Sequence, residues 1–294
     1  MHRDDIESVL EQLAGAGWQA GEFLDIEAVA SGVHDACRLR FEQSDIFLKI
    51  TRYENAAMLN DEAYSLACLR ESETVILPRV LLSGLAGETA WLALEWLELF
   101  PASATAQHRL GGMLAALHRC KAEQYGWPRD NYIGFTHQPN AWSGNWCEFL
   151  VEQRLGFQLR LAEKHNSADW VQRGLRLLEA TPAVFDGYQP EPSLLHGDLW
   201  NGNMGMRVDG EPVVFDPAAY YGDREADLAM TELFGGFTPS FRSGYEAAWP
   251  LDDGYDMRRS FYQLYHLLNH ANMFGSGYEG RAARMIDGLL ARHT

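Results

Sequence analysis

Cysteine is scarce: four in 294 residues, Cys37, Cys68, Cys120 and Cys147, widely spread and with no C-x-x-C. That spacing suggests neither a zinc site nor a disulfide framework, and reduced, packed thiols are the expectation. Long apolar runs are missing too; Trp91 to Leu94 is promptly followed by Glu95, so no segment is long enough to span a bilayer. The opening Met-His-Arg-Asp-Asp-Ile-Glu lacks an apolar signal core and a transit-peptide bias, which predicts a cytoplasmic protein. Basic residues are few, with 24 Lys and Arg against 41 Asp and Glu and a net charge of −17. Nucleic-acid binding needs clustered cations, so this balance argues against nucleic acid as the main partner. It can steer cationic substrates, although solubility is its ordinary meaning. Repeats, low-complexity tracts and long linkers are absent as well.

What remains is an ordinary folded composition, 47% hydrophobic and 22% charged, in a chain long enough for one or two domains. Asp4 or Asp5 can cap a helix carrying Ile6, Val9, Leu10 and Leu13 on one face. Ala28 to Phe41 reads as two short strands around the polar turn Ser31 to Asp35, and Ile46 to Ile50 as a third strand, apolar except for Lys49. Arg52 to Arg70 is helical in pattern, with Leu59, Ala63 and Leu66 on one stripe. Strands follow at Val75 to Leu82 and Thr89 to Leu97, joined by a turn holding Gly84 and Gly87. After Leu99 the pattern changes to long helices, over His108 to Cys120 and Trp142 to Glu163. A short strand at Ser193 to Leu195 comes next, then a hairpin of Met204 to Val208 with Pro212 to Phe215 turned at Asp209-Gly210. The chain from Arg224 onward is helical. The compositional switch near residues 97 to 100 predicts a hinge between residues 1–98 and 99–294, two lobes of one catalytic unit.

The stretch Leu194 to Asp216 carries the chemistry. His196-Gly-Asp-Leu-Trp-Asn-Gly-Asn203 has the spacing H-x-D-x-x-x-x-N of a phosphoryl-transfer loop, and Asp216 closes the hairpin behind it. Asp198 would receive a hydroxyl proton, while Asn203 and Asp216 would hold Mg²⁺ against ATP phosphates. A polar, Gly-rich turn is the bland alternative. Lys49, costly to bury unpaired in its strand, and Glu62, beside the inward stripe of its helix, form the second constellation. Together they read as the clamp on the α- and β-phosphates; singly, each reads as solvated surface. Ser31, Gly32 and Val33 would cover the phosphates through backbone N–H groups, although one glycine makes no G-x-G-x-x-G. Glu95, Trp96 and Leu97 would meet the adenine edge through their backbone. Strand-loop-strand, strand, helix, strand, strand is the order of a kinase-type nucleotide-binding lobe. Asp227 reads as a cap or a brace for the catalytic loop, and His196 as a loop support. His266 and His270, four apart, lack H-E-x-x-H and read as core or surface histidines.

These residues resemble the fructosamine (ketosamine) kinase family, a branch of the aminoglycoside-phosphotransferase-like kinases. Beyond the catalytic loop, Tyr125-Gly-Trp-Pro-Arg-Asp-Asn-Tyr-Ile-Gly134, Gln138 to Trp142 and Asn145-Trp146 look like that family's signature. So do Phe215 to Met230 and Tyr262-Gln-Leu-Tyr-His-Leu-Leu-Asn-His270. The likeness spans nearly the whole chain. It implies an α+β, two-lobed protein-kinase-like fold, with a small antiparallel-sheet lobe and a larger helical one. It also implies an ATP- and Mg²⁺-dependent kinase acting on a sugar hydroxyl of ketosamines, free or protein-bound, with an unstable 3-phosphate whose breakdown frees the amine. In the resemblance Asp198 is the proton acceptor, Asn203 and Asp216 are metal ligands, Lys49 with Glu62 is the clamp and Glu95 to Leu97 is the hinge. Asp216-Pro-Ala stands where protein kinases have D-F-G. Ser31-Gly-Val-His-Asp departs from the family in lacking paired glycines and the cysteine some members carry, which puts redox regulation there in doubt. Trp200 could stack on the sugar or pack in the core. The rival readings are an aminoglycoside, choline or other small-alcohol kinase on the same fold, and a nucleotide-binding regulator without turnover.

Overall fold

The computed structural model describes residues 3–29, 35–165 and 169–293. Its first part is a helix, α1 (Arg3–Gly15), then strands β1 (Phe23–Val29), β2 (Asp35–Phe41) and β3 (Ile46–Arg52), helix α2 (Ala56–Glu71), and strands β4 (Val80–Ala86) and β5 (Thr89–Glu95). The strands form one antiparallel sheet in the order β1-β2-β3-β5-β4. Side chains alternate across a strand, so each strand is read twice, once per face. Leu39, Ile46, Leu48, Trp91 and Ala93 pack with Val9 and Leu13 of α1 on one face. Ala90, Leu92 and Leu94 meet Leu59, Leu66 and Leu69 of α2 on the other. Lys49 lies directly opposite Leu92 in the ladder. The same alternation that buries Leu48 under α1 therefore turns Lys49 toward α2.

Several boundaries differ from expectation. Helix α1 already begins at Arg3, ahead of the aspartates expected to cap it. Strand β1 starts at Phe23, five residues early, and Ser31, Gly32 and Val33 lie outside the described residues. Strand β4 begins at Val80 instead of Val75; Val75 and Leu77 are core residues leading up to it. Pro78, between Leu77 and Val80, has no N–H to offer a ladder, which is why apolar content alone misplaced the start. Gly84 sits inside β4, and the hairpin turns at Gly87, whose φ is +59°.

The remainder is mainly helical. It runs through α3 (Ala104–Leu117), the hairpin of β6 (Asn131–Ile133) and β7 (Thr136–Gln138), then α4 (Trp146–Phe149), α5 (Gly156–His165) and α6 (Asp169–Val184). Short strands β8 (Ser193–Leu195), β9 (Met204–Met206), β10 (Pro212–Val214) and β11 (Tyr220–Gly222) frame the catalytic stretch. Helices α7 (Glu225–Leu233), α8 (Pro239–Ala248), α9 (Tyr255–Phe274) and α10 (Ser276–His293) complete it. The expected hairpin is there, β9 pairing β10 around Gly210. The single helix expected over Trp142 to Glu163 is not: Asn145 caps α4 by accepting from Glu148 N at 3.0 Å, and wider π-type turns over Leu150–Leu155 precede α5. A 3.6-residue pattern does not report such a widened turn. Close helix contact is set by Gly244 of α8, where a Cβ would meet His108 O of α3 at 1.9 Å.

Helix α9 is the spine of this part, burying Phe261, Tyr262, Leu264, Tyr265, Leu267 and Leu268. Each such side chain contributes roughly 1.5–3 kcal/mol by leaving water. The core they enter is continuous with the α2 face of the sheet, so the cleft between sheet and helices has a packed floor. Among the described residues no helix is long and apolar enough to cross a membrane.

Candidate active site

The structure brings Lys49, Glu62, Asp198, Asn203 and Asp216 to one cavity, together with Asp61 and Trp200. Lys49 is 3% exposed, and its Nζ bridges Glu62 Oε1 at 2.7 Å and Asp216 Oδ1 at 2.6 Å. Burial works to lower the pKa of Lys49, but the carboxylates of Asp216 and Glu62 outweigh it, so the ammonium stays charged. Burial in turn raises the pKa of Glu62, against the pull of Lys49. Buried charges of this kind persist only when paired. Asp216 holds a left-handed backbone, φ +57°, uncommon for a residue with a side chain.

The loop before it is equally constrained. His196 Nε2–H donates to Phe215 O at 3.1 Å, and its Nδ1 accepts from Asp198 N at 3.3 Å. The imidazole thus ties the two ends of the catalytic stretch together as a neutral ring, since burial holds its pKa down. Gly197 has φ +83°, and a Cβ there would meet Ala218 O at 2.0 Å. No other residue fits that crossing. Asn203 Nδ2 donates to Asp198 O at 2.9 Å and approaches Asp198 Oδ2 at 3.3 Å and Asp216 O at 3.4 Å. Asp198 itself is pushed up to about 7, by burial first and by Asp216 and Asp227 next. Its Oδ1 lies 3.8 Å from His266 Nδ1 of α9.

The segment from Tyr125 to Trp146 supports the far side. Asn131 Nδ2 donates to Ala219 O at 2.8 Å, and Gln138 Nε2 to Ala218 O at 3.1 Å. Asn140 Nδ2 reaches Asn131 Oδ1 at 2.8 Å, and Arg154 Nη2 reaches Asn140 Oδ1 at 2.7 Å. These buried amides fix the backbone just after Asp216-Pro217, and with it the direction of the Asp216 carboxylate.

A second, more apolar cavity of about 430 Å³ adjoins the first, lined by Val29, Phe47, Leu94 and Phe215 and by the strand-end residues Glu95, Trp96 and Leu97. Its size and lining suit a purine. Glu95 Oε1 accepts from Arg79 N at 2.8 Å, and the Arg38 guanidinium lies 4.4 Å from the Trp96 ring centre. Both side chains are engaged within the sheet lobe, and of the backbone donors Glu95 N donates to Arg79 O at 2.9 Å and Trp96 N to Asp45 O at 3.3 Å. Trp200 borders both cavities and is 38% exposed, so it is not a core residue. Asp216 and Asn203 both line the first cavity and bring hard oxygen donors, a carboxylate and an amide, the donor set that Mg²⁺ accepts while keeping waters and phosphate oxygens as its other ligands. The residues present fit that ion.

A family model described as fructosamine kinase matches residues 4–292. The chain belongs to the fructosamine kinase family. A probable ketoamine kinase of Synechocystis is 38% identical over 287 residues, covering 97% of this chain and 96% of that one. The crystal structure of a candidate fructosamine-3-kinase from Haemophilus somnus superposes with a TM-score of 0.88 at 28% identity, covering 96% of each chain. An aminoglycoside phosphotransferase, APH(4)-Ia in complex with AMP-PNP and hygromycin B, matches with a TM-score of 0.69 at 13% identity over 98% of each chain, a likeness of fold alone. The fold is thus the α+β protein-kinase-like one, and the family is one of phosphotransferases that act on an alcohol group.

In this fructosamine kinase family member Asp227 is the brace of the catalytic loop that its place in the sequence suggested. Its two oxygens accept from His196 N and Gly197 N, each at 2.8 Å, and from His118 Nε2 at 3.2 Å. His118 in turn accepts from Tyr245 OH at 2.8 Å. Burial works to raise the Asp227 pKa, but the hydrogen bonds from His118 Nε2 and Gly197 N hold it low, so the carboxylate stays ionised. Replacing it with Ala strands three buried donors. The expected result is a loss of about 3–5 kcal/mol and a melting temperature lower by roughly 10 °C, measured by thermal unfolding. Unchanged melting would show that the loop holds its shape without the brace.

Proposed function

We infer that this protein is an ATP- and Mg²⁺-dependent kinase that phosphorylates a sugar hydroxyl of ketosamines, the products of amines with aldoses. The observation that carries the reading is the convergence of Lys49, Glu62, Asp198, Asn203 and Asp216, drawn from segments up to 167 residues apart, on one cavity. Residues 1–98 form the nucleotide-binding lobe and residues 99–294 the catalytic and acceptor-binding lobe. Adenine lies in the apolar cavity against the backbone of Glu95 to Leu97. Lys49, held by Glu62, turns from Asp216 to the α- and β-phosphates. Asn203 and Asp216 hold Mg²⁺, which when bound offsets phosphate charge and aligns the γ-phosphoryl group.

Asp198 takes the proton of the acceptor hydroxyl as that oxygen bonds to the γ-phosphorus and the bond to the bridging oxygen breaks, releasing ADP. Positioning and charge carry most of the rate. Trp200, at the junction of the two cavities, offers its ring to the sugar. The cavity as a whole is acidic, with Asp61, Glu62, Asp198 and Asp216 against Lys49, and Arg129 lies 3.8 Å from Asp61. The name of the Synechocystis relative supports a ketoamine, and the AMP-PNP of the fold neighbour supports ATP. The 3-phosphate so formed sheds the sugar and frees the amine, a deglycation in the cytoplasm.

ADP release measured against fructosyl-amines, ribosyl-amines and aminoglycosides tests the reading. Turnover on the sugar-amines, at least tenfold above aminoglycosides in kcat/KM, is expected. Turnover confined to aminoglycosides, or none with any acceptor, would replace it by one of the rival functions.

A further inference from the structure

Two buried polar atoms in the site have no hydrogen-bond partner among the described residues, and they face each other: Asp198 Oδ1 and His266 Nδ1, 3.8 Å apart. Orphaned buried polar atoms are rare enough that each needs a reason. The carboxyl is 19% exposed at its side chain, and since Oδ1 is shut away, it is the Oδ2 edge that meets the cavity, 3.3 Å from Asn203 Nδ2. His266 stands behind the carboxylate, on the side away from the acceptor.

The ring is placed firmly. It is 3% exposed, on the buried face of α9. Its neighbour Tyr265 packs edge-on against it at 5.1 Å and donates its hydroxyl to Gln138 Oε1 at 2.6 Å. The charged and titratable groups around it are His270 and Arg154, which oppose its protonation, and Asp227, which favours it. Burial dominates and pushes it down to about 3, so the ring is neutral. A leucine would fill the same space without stranding a nitrogen. At 3.8 Å the two atoms are not bonded, but an approach of about 1 Å would bring them to hydrogen-bond distance.

We propose that His266 is a positioning residue: its Nδ1–H donates to Asp198 Oδ1 once nucleotide is bound, and this holds Oδ2 toward the acceptor hydroxyl. The inference rests on the kinase reading above. The acceptor proton goes to Oδ2, and the imidazole keeps its own proton throughout. A neutral donor suits the task. An imidazolium would pair with the carboxylate and blunt it as a base, whereas a neutral N–H orients it and leaves its charge in place.

The test compares His266→Leu, which removes the donor, His266→Asn, whose amide reproduces a donor at the Nδ1 position, and His266→Gln, whose amide lies too far out. In steady-state ADP release with a ketosamine, His266→Leu and His266→Gln should lose about tenfold or more in kcat, with the KM for ATP within about twofold. His266→Asn should recover to within about threefold of the unmodified protein. A His266→Leu or His266→Gln protein with undiminished kcat would overturn the proposal, and so would a His266→Asn protein as slow as His266→Gln. The last pair keeps the comparison decisive if the leucine variant does not fold. A second readout is independent of the acceptor: ring ¹⁵N shifts of the unmodified protein saturated with ADP and Mg²⁺ should show the Nδ1–H tautomer at His266. The Nε2–H tautomer would overturn the proposal even if no sugar-amine is turned over, whereas absent turnover with Nδ1–H present would count against the kinase reading alone.

Discussion

Asp198→Asn is expected to lower kcat by about three orders of magnitude while nucleotide binding survives, because a positioned general base contributes roughly 10²- to 10⁴-fold. An amide of the same shape keeps the contact with Asn203 but has no lone pair basic enough to take the hydroxyl proton. Parallel calorimetry with ADP and Mg²⁺ checks the second half, and near-normal turnover would remove Asp198 from the role. The same substitution should stabilise the nucleotide-free protein. The folded carboxyl sits at about 7, raised chiefly by burial, against an ordinary value near 4 in the unfolded chain. Between those values the folded state holds a proton that the unfolded state has lost, so this group's contribution falls as pH rises through 7. At pH 8 the wild-type charge is at its most costly, and Asn carries none. A gain of about 2 kcal/mol, a few degrees in melting temperature, is expected at pH 8 and should vanish near pH 4. A gap that stays constant with pH would show that the carboxyl is not strained by its surroundings.

Asp216→Ala is expected to erase the effect of Mg²⁺ on nucleotide binding. Titration calorimetry with ADP should show at least about a hundredfold weaker binding in the presence of Mg²⁺, and the same affinity with and without it. Two physical losses combine. The hard oxygen pair formed with Asn203 is broken, and Asn203 alone is a poor site for an ion that dehydrates reluctantly. Lys49 also loses one of its two partners, the 2.6 Å contact, and keeps only Glu62 at 2.7 Å. The ammonium remains paired, so the fold should survive and the loss should be confined to binding. Metal-dependent binding at wild-type strength would assign the ion to other residues.

Much of this site could be read from the chain because its spacing is local. Asp198, Asn203 and Asp216 lie within one loop and hairpin, and Asp209-Gly210 turns that hairpin as its residues demand. Lys49 was conspicuous as one charge in an apolar strand, and Glu62 as a carboxylate beside the inward stripe of α2. Strand starts were less legible. Val75 and Leu77 are as buried as strand residues but precede the ladder, because burial and pairing are separate constraints. The widened turns of Leu150–Leu155 left no trace in a pattern that records only which residues are apolar.

The sequence by itself determined which residues could carry the chemistry, since their types and short spacings are properties of neighbouring positions. Tertiary structure alone decided how they are held. Lys49 meets Asp216 across the cleft, and Asp227 grips the loop 30 residues before it. Asn131 and Gln138 hold the carbonyls of Ala219 and Ala218, and His266 stands behind Asp198. Each of these contacts joins segments whose separation along the chain has no period. Only the packing of α9, the β6–β7 hairpin and the sheet onto one core sets their distances.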